Sequence, residues 1–239
     1  MPLGCVAAAT LKTVSSRILS ILGRRWWPVA LTVLAIAVSL PALQAGLLND
    51  DYCHRSALLG PSEFLDRLGP AGLAPGGSGR LGTALSEQFV AVAPNANLRR
   101  LKAYGALPWW TCDDLRVAFW RPVSSFTHWL DYRLFPNTLP LMHLHSILWF
   151  AAAVLAVSLL YRRLIGVAWV ATLGALLYVL ADFSYFPTLW LANRNALLAL
   201  FFGLLALILH DRYRRRGGGY GLVAAAACLL LSVLSAEAR

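Results

Sequence analysis

The sequence predicts an all-α, polytopic helical membrane protein with about five transmembrane helices and a long outer loop containing interfacial helices. Three observations carry this. Of 239 residues, 59% are hydrophobic and 13% charged, and the mean hydropathy is +0.62, which is too apolar for an ordinary soluble domain. Crossing ~30 Å of hydrocarbon takes about 20 apolar residues, and suitable runs occur at 26–48, 141–160, 165–183, 189–209 and 220–236. The net charge of +10 is concentrated: residues 1–25 hold Lys12, Arg17, Arg24 and Arg25 without an acid, Arg162 and Arg163 form a second cluster, and 211–216 a third. These are the caps between apolar runs that the positive-inside rule assigns to cytoplasmic loops. The distribution therefore removes the main support for nucleic acid as a partner and makes the lipid bilayer the expected one.

Residues 1–25 read as a cytoplasmic interfacial segment, because Leu11, Val14, Ile18, Ile21 and Leu22 recur at helical spacing opposite Lys12, Ser15 and Ser16. Residues 26–48 are read as the first span. The stretch 29–40, with Pro41 and Ala45 after it, also has the make-up of a secretory signal, but the apolar run continues through Leu47 and Leu48, and Leu43 suits the position three before a cleavage poorly. Both readings put Asp50 and Asp51 outside. Residues 49–140 form the outer loop, facing the periplasm or the cell exterior. The glycine- and proline-rich stretch 68–82 divides it, with a short helix expected at 62–68 before it. After it, Trp109, Trp110, Phe119 and Trp120 precede Arg121-Pro122, and Phe126, Trp129, Leu130, Arg133 and Leu134 follow at three- and four-residue steps. That aromatic density suits helices lying in the membrane interface. Residues 141–239 hold the remaining four spans with short loops. The location expected is a multi-pass protein of the inner or plasma membrane, with the N-terminus cytoplasmic.

Of the four cysteines, Cys53 and Cys112 share the outer loop, where an oxidising compartment permits a disulfide and leaves it undecided. Cys5 falls in the cytoplasmic segment and Cys228 in the last span.

Ionisable groups at the ends of spans are costly and point to function when they converge. Asp50 and Asp51 close the first span, His143 and His145 open the second, Asp182 closes the third, Arg194 between Asn193 and Asn195 opens the fourth, and Glu237 closes the fifth. In the expected orientation all of them reach the outer face. A cation at a helix N-terminus opposes the macrodipole, so Arg194 calls for an anion: a phosphate held with Asn193 and Asn195, or an ion pair with Asp182 or an outer-loop carboxylate. Successive residues point in different directions, so one of Asp50 and Asp51 can face a reacting group as general base while the other holds backbone, a metal or an arginine. Zinc on His54, His143 and His145 with Asp50 or Asp51 has no His-x-x-x-His spacing behind it. No cofactor is identified: a divalent cation is compatible with the carboxylates and not required by them.

Asn-Asp-Asp-Tyr at 49–52, Phe-Trp-Arg-Pro at 119–122, Pro-Leu-Met-His at 140–143, Trp-Leu-Ala-Asn-Arg-Asn-Ala-Leu-Leu at 190–198 and Leu-Ser-Ala-Glu at 234–237 resemble, in this order, the motifs of C-fold (GT-C) membrane glycosyltransferases. The protein O-mannosyltransferase-like group, with the bacterial family 39 enzymes, is the most similar. The resemblance covers most of the chain from Leu48 onward. It implies transfer of a sugar from a polyprenyl-phosphate donor to an acceptor, itself unidentified, on the outer face, usually with inversion. Asp50 or Asp51 would be the base, Arg194 would hold the lipid phosphate, and Asn193, Arg121, His143 and Glu237 would be further substrate-binding residues. Two departures stand out. Ser146 and Phe150 occupy places where the family has an Asn and a further His, and family members have about twice as many spans, so the chain is expected to be the N-terminal part of a longer protein. The rival reading is a non-enzymatic polytopic membrane protein, a transporter part or assembly subunit. Thr172 and Ser158 are too little polar lining for a transport pathway.

Overall fold

In the computed structural model, residues 19–59, 80–92, 97–103, 105 and 107–236 are described. The expected helix at 62–68, most of the divider at 68–82, Leu11, Val14 and Ile18 of the interfacial segment, Cys5 and Glu237 lie outside them.

Helix α1 (Trp27–Ser39) begins with Pro28 in its first turn, where a missing N–H costs nothing. It tightens into a 3-10 turn, Leu40–Gln44, giving an apolar stretch of 18 residues, Trp27–Gln44. Asn49 adopts a left-handed φ of 46°, a conformation Asn tolerates better than most residues, and turns the chain into α2 (Asp51–Leu59). The segment between the first two spans continues with α3 (Leu81–Glu87), β1 (Val90–Val92), α4 (Leu98–Ala103), β2 (Val117–Ala118) and α5 (Pro122–Leu134). The strands pair antiparallel, with Val90 opposite Ala118, forming a small ribbon beside the helices.

Helix α6 (Leu139–Leu164) is the central post. His143, Ser146, Phe150, Val154, Val157 and Leu160 run down its buried side at steps of three and four, the spacing of one helix face. It packs on α1, on α7 (Ala168–Leu180), on α8 (Asp182–Leu189) and on α9 (Arg194–Arg216), which follows the 3-10 turn Leu191–Asn193. The core joins Leu31 and Ala35 of α1, Phe150 and Val154 of α6, Ala175 and Val179 of α7, and Leu197 and Leu204 of α9. Small residues such as Ala35, Ala153 and Ala175 let backbones approach closely. Helix α10 (Gly219–Ser235) leans on α9 and exposes Leu222, Val223, Leu229, Leu230 and Val233. Of the alanine run 224–227, only Ala225 is buried.

The expected count of five spans is corrected. Among the described residues, three helices are long and apolar enough to cross a membrane: Trp27–Gln44, Leu139–Leu164 and Leu191–Arg216. A fourth exists if α7 and α8 count as one span broken by a 46° bend, with Ala181 extended between them. Asp182 then sits in the first turn of α8, where a carboxylate suits the helix dipole. The run at 220–236 becomes a helix of 17 residues, about 25 Å at 1.5 Å per residue, short of the ~30 Å hydrocarbon core.

The two ends of the bundle are distinct. At one, Arg162 donates to the carbonyls of Gly23 and Arg24 at 2.9 and 2.5 Å, Thr172 donates to Leu22 O, and Arg163 and Arg215 pair with Asp211. Residues 22–24, Arg162 with Arg163, and Asp211 with Arg215 therefore reach one end. Asp51, His143, Arg194 and the segment carrying α5 meet at the other.

Candidate functional site

Helix α5 supplies much of the polar end by burying the side that a soluble helix would expose. Ser124, Ser125, Thr127, His128 and Asp131 are buried while Phe126 and Leu134 are exposed. Ser124 Oγ donates to Ser235 O at 2.7 Å, which ties α5 to the end of α10 and satisfies one of that helix's terminal carbonyls.

Behind α5 lies a closed charge network. The Arg194 side chain is 0% exposed and meets Asp131 Oδ2 at 2.5 Å. Its Nε donates to Ser146 Oγ at 2.9 Å and an Nη to Met142 O at 2.9 Å. The other Asp131 oxygen is 2.6 Å from His145 Nδ1, and Trp149 Nε1 donates to His145 Nε2 at 2.9 Å. An indole N–H only donates, so Nε2 is the acceptor and Nδ1 carries the proton given to Asp131. His145 is thereby held beside a guanidinium–carboxylate pair, with an Arg194 Nη 3.3 Å from its Nδ1. His143 Nδ1 likewise reaches Thr188 O at 2.8 Å, and only an N–H can bond a carbonyl.

Asp51 and Asp50 divide their tasks. Asp51 is buried and accepts Leu48 N–H at 2.9 Å and Ala192 N–H at 2.6 Å, one on each oxygen, clamping the start of α2 to the 3-10 turn before α9. Burial raises its pKa above the usual carboxylate value, and the backbone donors oppose that rise. Asp50 is exposed and lines a cleft of about 310 Å³ with Cys53, His54, Gln88, Arg121, Asn193 and Asn195. Thus Asn193 and Asn195 border the cleft while Arg194, between them, turns into the core.

Arg121 stands over the Phe89 and Phe119 rings at 5.1 and 4.4 Å, the geometry of a cation–π contact. The Phe119 N–H to Phe89 O bond of 3.0 Å next to the ribbon holds these rings together. Deeper down, His54 packs edge-on against Phe89 and faces His128, with ring centroids 5.5 Å apart. Burial, aided by the Arg121 charge, lowers the His54 pKa to about 3, and burial drives His128 well below its usual value, with Arg194 adding to the effect. Both rings are neutral near pH 7. Burial, then the Asp50 charge, raises the Cys53 thiol.

The cleft brings together Asp50, Arg121 and Asn193 of the residues singled out in the sequence. Asp51 and His143 stand beside it with their bonds already directed at backbone. Arg194 makes the outer-loop carboxylate pair, not the open phosphate site, and that carboxylate is Asp131. Cys53 and Cys112 are free thiols, so the undecided disulfide is not formed. Among the described residues, no group of three or more His, Cys, Asp or Glu is arranged to hold a metal ion. Sequence reasoning missed Asp131, His128 and Gln88. A signal existed for the first two: His128 and Asp131 share one face of α5, three residues apart and opposite Phe126. Gln88 carried none.

Compared with protein-family models, curated proteins and solved structures, the chain matches none.

Proposed function

We propose that the cleft is the catalytic site of a membrane glycosyltransferase that moves a sugar from a polyprenyl-phosphate donor to an acceptor on the outer face. The observation that supports this most is the pairing of an exposed Asp50 with Arg121 in one cleft, while the adjacent Asp51 is spent on backbone. A free carboxylate and a guanidinium at opposite tasks are what inverting transfer needs. Asp50 takes the proton of the acceptor hydroxyl, whose oxygen bonds to the anomeric carbon. The anomeric C–O bond breaks, and its electron pair leaves on the donor phosphate. Arg121, with the Asn193 and Asn195 amides, faces the charge that builds there. Arg194 acts at a distance, as a positioning residue that fixes the start of α9. The segregation of basic clusters to the other end supports a cytoplasmic N-terminus and an outward-facing cleft.

The test is donor turnover by the protein in proteoliposomes, with a polyprenyl-phosphate hexose as donor and native membranes as the acceptor source. Asp50→Asn is expected to lower turnover roughly 10²- to 10⁴-fold, the usual worth of a general base, with the unfolding midpoint unchanged. Wild-type-like turnover in Asp50→Asn sinks that assignment. No turnover by the wild type under any donor favours the non-enzymatic reading.

A further inference from the structure

Besides Arg121, whose guanidinium stands over two rings, the residues that line the cleft carry two buried polar atoms of opposite character with no hydrogen-bond partner among the described residues: Gln88 Oε1, an acceptor, and Trp190 Nε1, a donor. Both residues line the cleft, and Gln88 is 2% exposed. The Gln88 amide nitrogen already faces His54 Nδ1 at 3.4 Å, which leaves its oxygen free for something else. Buried groups of this kind are normally satisfied, so each asks for a partner.

The ligand class follows from what each alternative would leave unmet. An apolar ligand would satisfy neither atom. An anion could take the Trp190 N–H and the Arg121 charge but would leave the Gln88 oxygen unmet beside the Asp50 carboxylate. A cation would reverse the mismatch, meeting the indole donor and the Arg121 charge. A hydroxyl both donates and accepts, and a ring bearing several hydroxyls serves both atoms at once. A cleft of about 310 Å³ lies at the lower end of small-ligand sites, and the exposed part of Phe119 adds apolar surface for the C–H face of such a ring.

We infer that Gln88 and Trp190 form the subsite that reads a neutral hexose, Gln88 Oε1 accepting from one hydroxyl and Trp190 Nε1 donating to another. This rests on the glycosyltransferase reading for the sugar's fate, and its role is to set sugar preference. Saturation-transfer NMR on the detergent-solubilised protein, with methyl glucoside, methyl mannoside, methyl galactoside and glycerol as probes, tests it. At least one hexoside is expected to bind in the millimolar range while glycerol does not. Gln88→Leu and Trp190→Phe should each weaken that binding roughly tenfold, as losing a partner for a ligand hydroxyl does, with the helical signal and unfolding midpoint kept. Absence of hexoside binding to the wild type, or unweakened binding in both variants, overturns the subsite. If hexoside binding depends on Gln88 and Trp190 but no donor is turned over, the transfer reading fails and the subsite stands. If turnover occurs with rate and hexose preference unaltered in both variants, the reverse holds.

Discussion

Arginines occupy both ends of this bundle, under opposite physical conditions. At the end formed by residues 22–25, 162–163 and 211–216, they bond the carbonyls of the turn at Gly23 and Arg24 or share the partly exposed Asp211. At the other, Arg194 is sealed from solvent with Asp131, Ser146 and His145 around it. The same residue type is a replaceable cap in one place and an obligatory member of a closed network in the other. The difference lies in desolvation: a charge that keeps its hydration needs no partner, whereas a buried one is tolerated only while every partner is present.

The largest expected effect breaks the sealed end. Arg194→Met leaves Asp131 as an uncompensated buried carboxylate and is expected to cost about 3–5 kcal/mol, measured as denaturant unfolding in detergent. Adding Asp131→Leu should recover much of the loss, because the stranded charge is gone. A single mutant as stable as wild type would mean that the network is solvated.

A second test uses the neutral histidines near that end. The His54 pKa is lowered from 6.5 to about 3 when folded, and His128 moves the same way. A depressed histidine favours folding above its unfolded pKa, and that contribution is lost as the pH falls below 6.5 toward about 3. Unfolding stability measured against pH should fall with one proton's worth of slope from His54 inside this window, His128 adding in the same direction. His54→Phe should remove one proton's worth of that slope. An unchanged slope would show that His54 is hydrated when folded. Asp51 works in the opposite direction: with its folded pKa raised, its contribution is present at low pH and declines as the pH rises through that raised value. The net slope therefore reports which groups dominate.

The smallest effect belongs to the solvated end. Asp211→Asn removes the carboxylate shared by Arg163 and Arg215, and the unfolding midpoint is expected not to move measurably, with wild-type salt dependence only slightly reduced. A loss as large as that in Arg194→Met would erase the contrast between the ends.

Much of the candidate site was legible because residues next to a span boundary must emerge together. Asp50, Asn193 and Asn195 belong to one face of the bundle on topology alone, and the cleft gathers them together with Arg121, which only the family resemblance had singled out. That adjacent Asp50 and Asp51 would divide their tasks was legible as well, since successive side chains point in different directions. Arg194 illustrates the limit. Its position at a helix start showed that it needed an anion, yet choosing between a ligand and Asp131 required the three-dimensional placement of α5, more than 50 residues earlier in the chain.

The sequence by itself determined the apolar helical bundle, the separation of a basic end from a mixed polar end, and the residues that meet at each. Hydropathy and charge act locally, through the solvation of each segment, so they can be read without knowing the fold. Only the tertiary structure decided that 220–236 falls short of a full span, that the third apolar run is bent at Ala181, that α5 turns its polar side inward, and that Arg194 is enclosed while Asp50 remains open. Those outcomes depend on which groups exclude water from one another, and that is set by contacts between segments far apart in the chain.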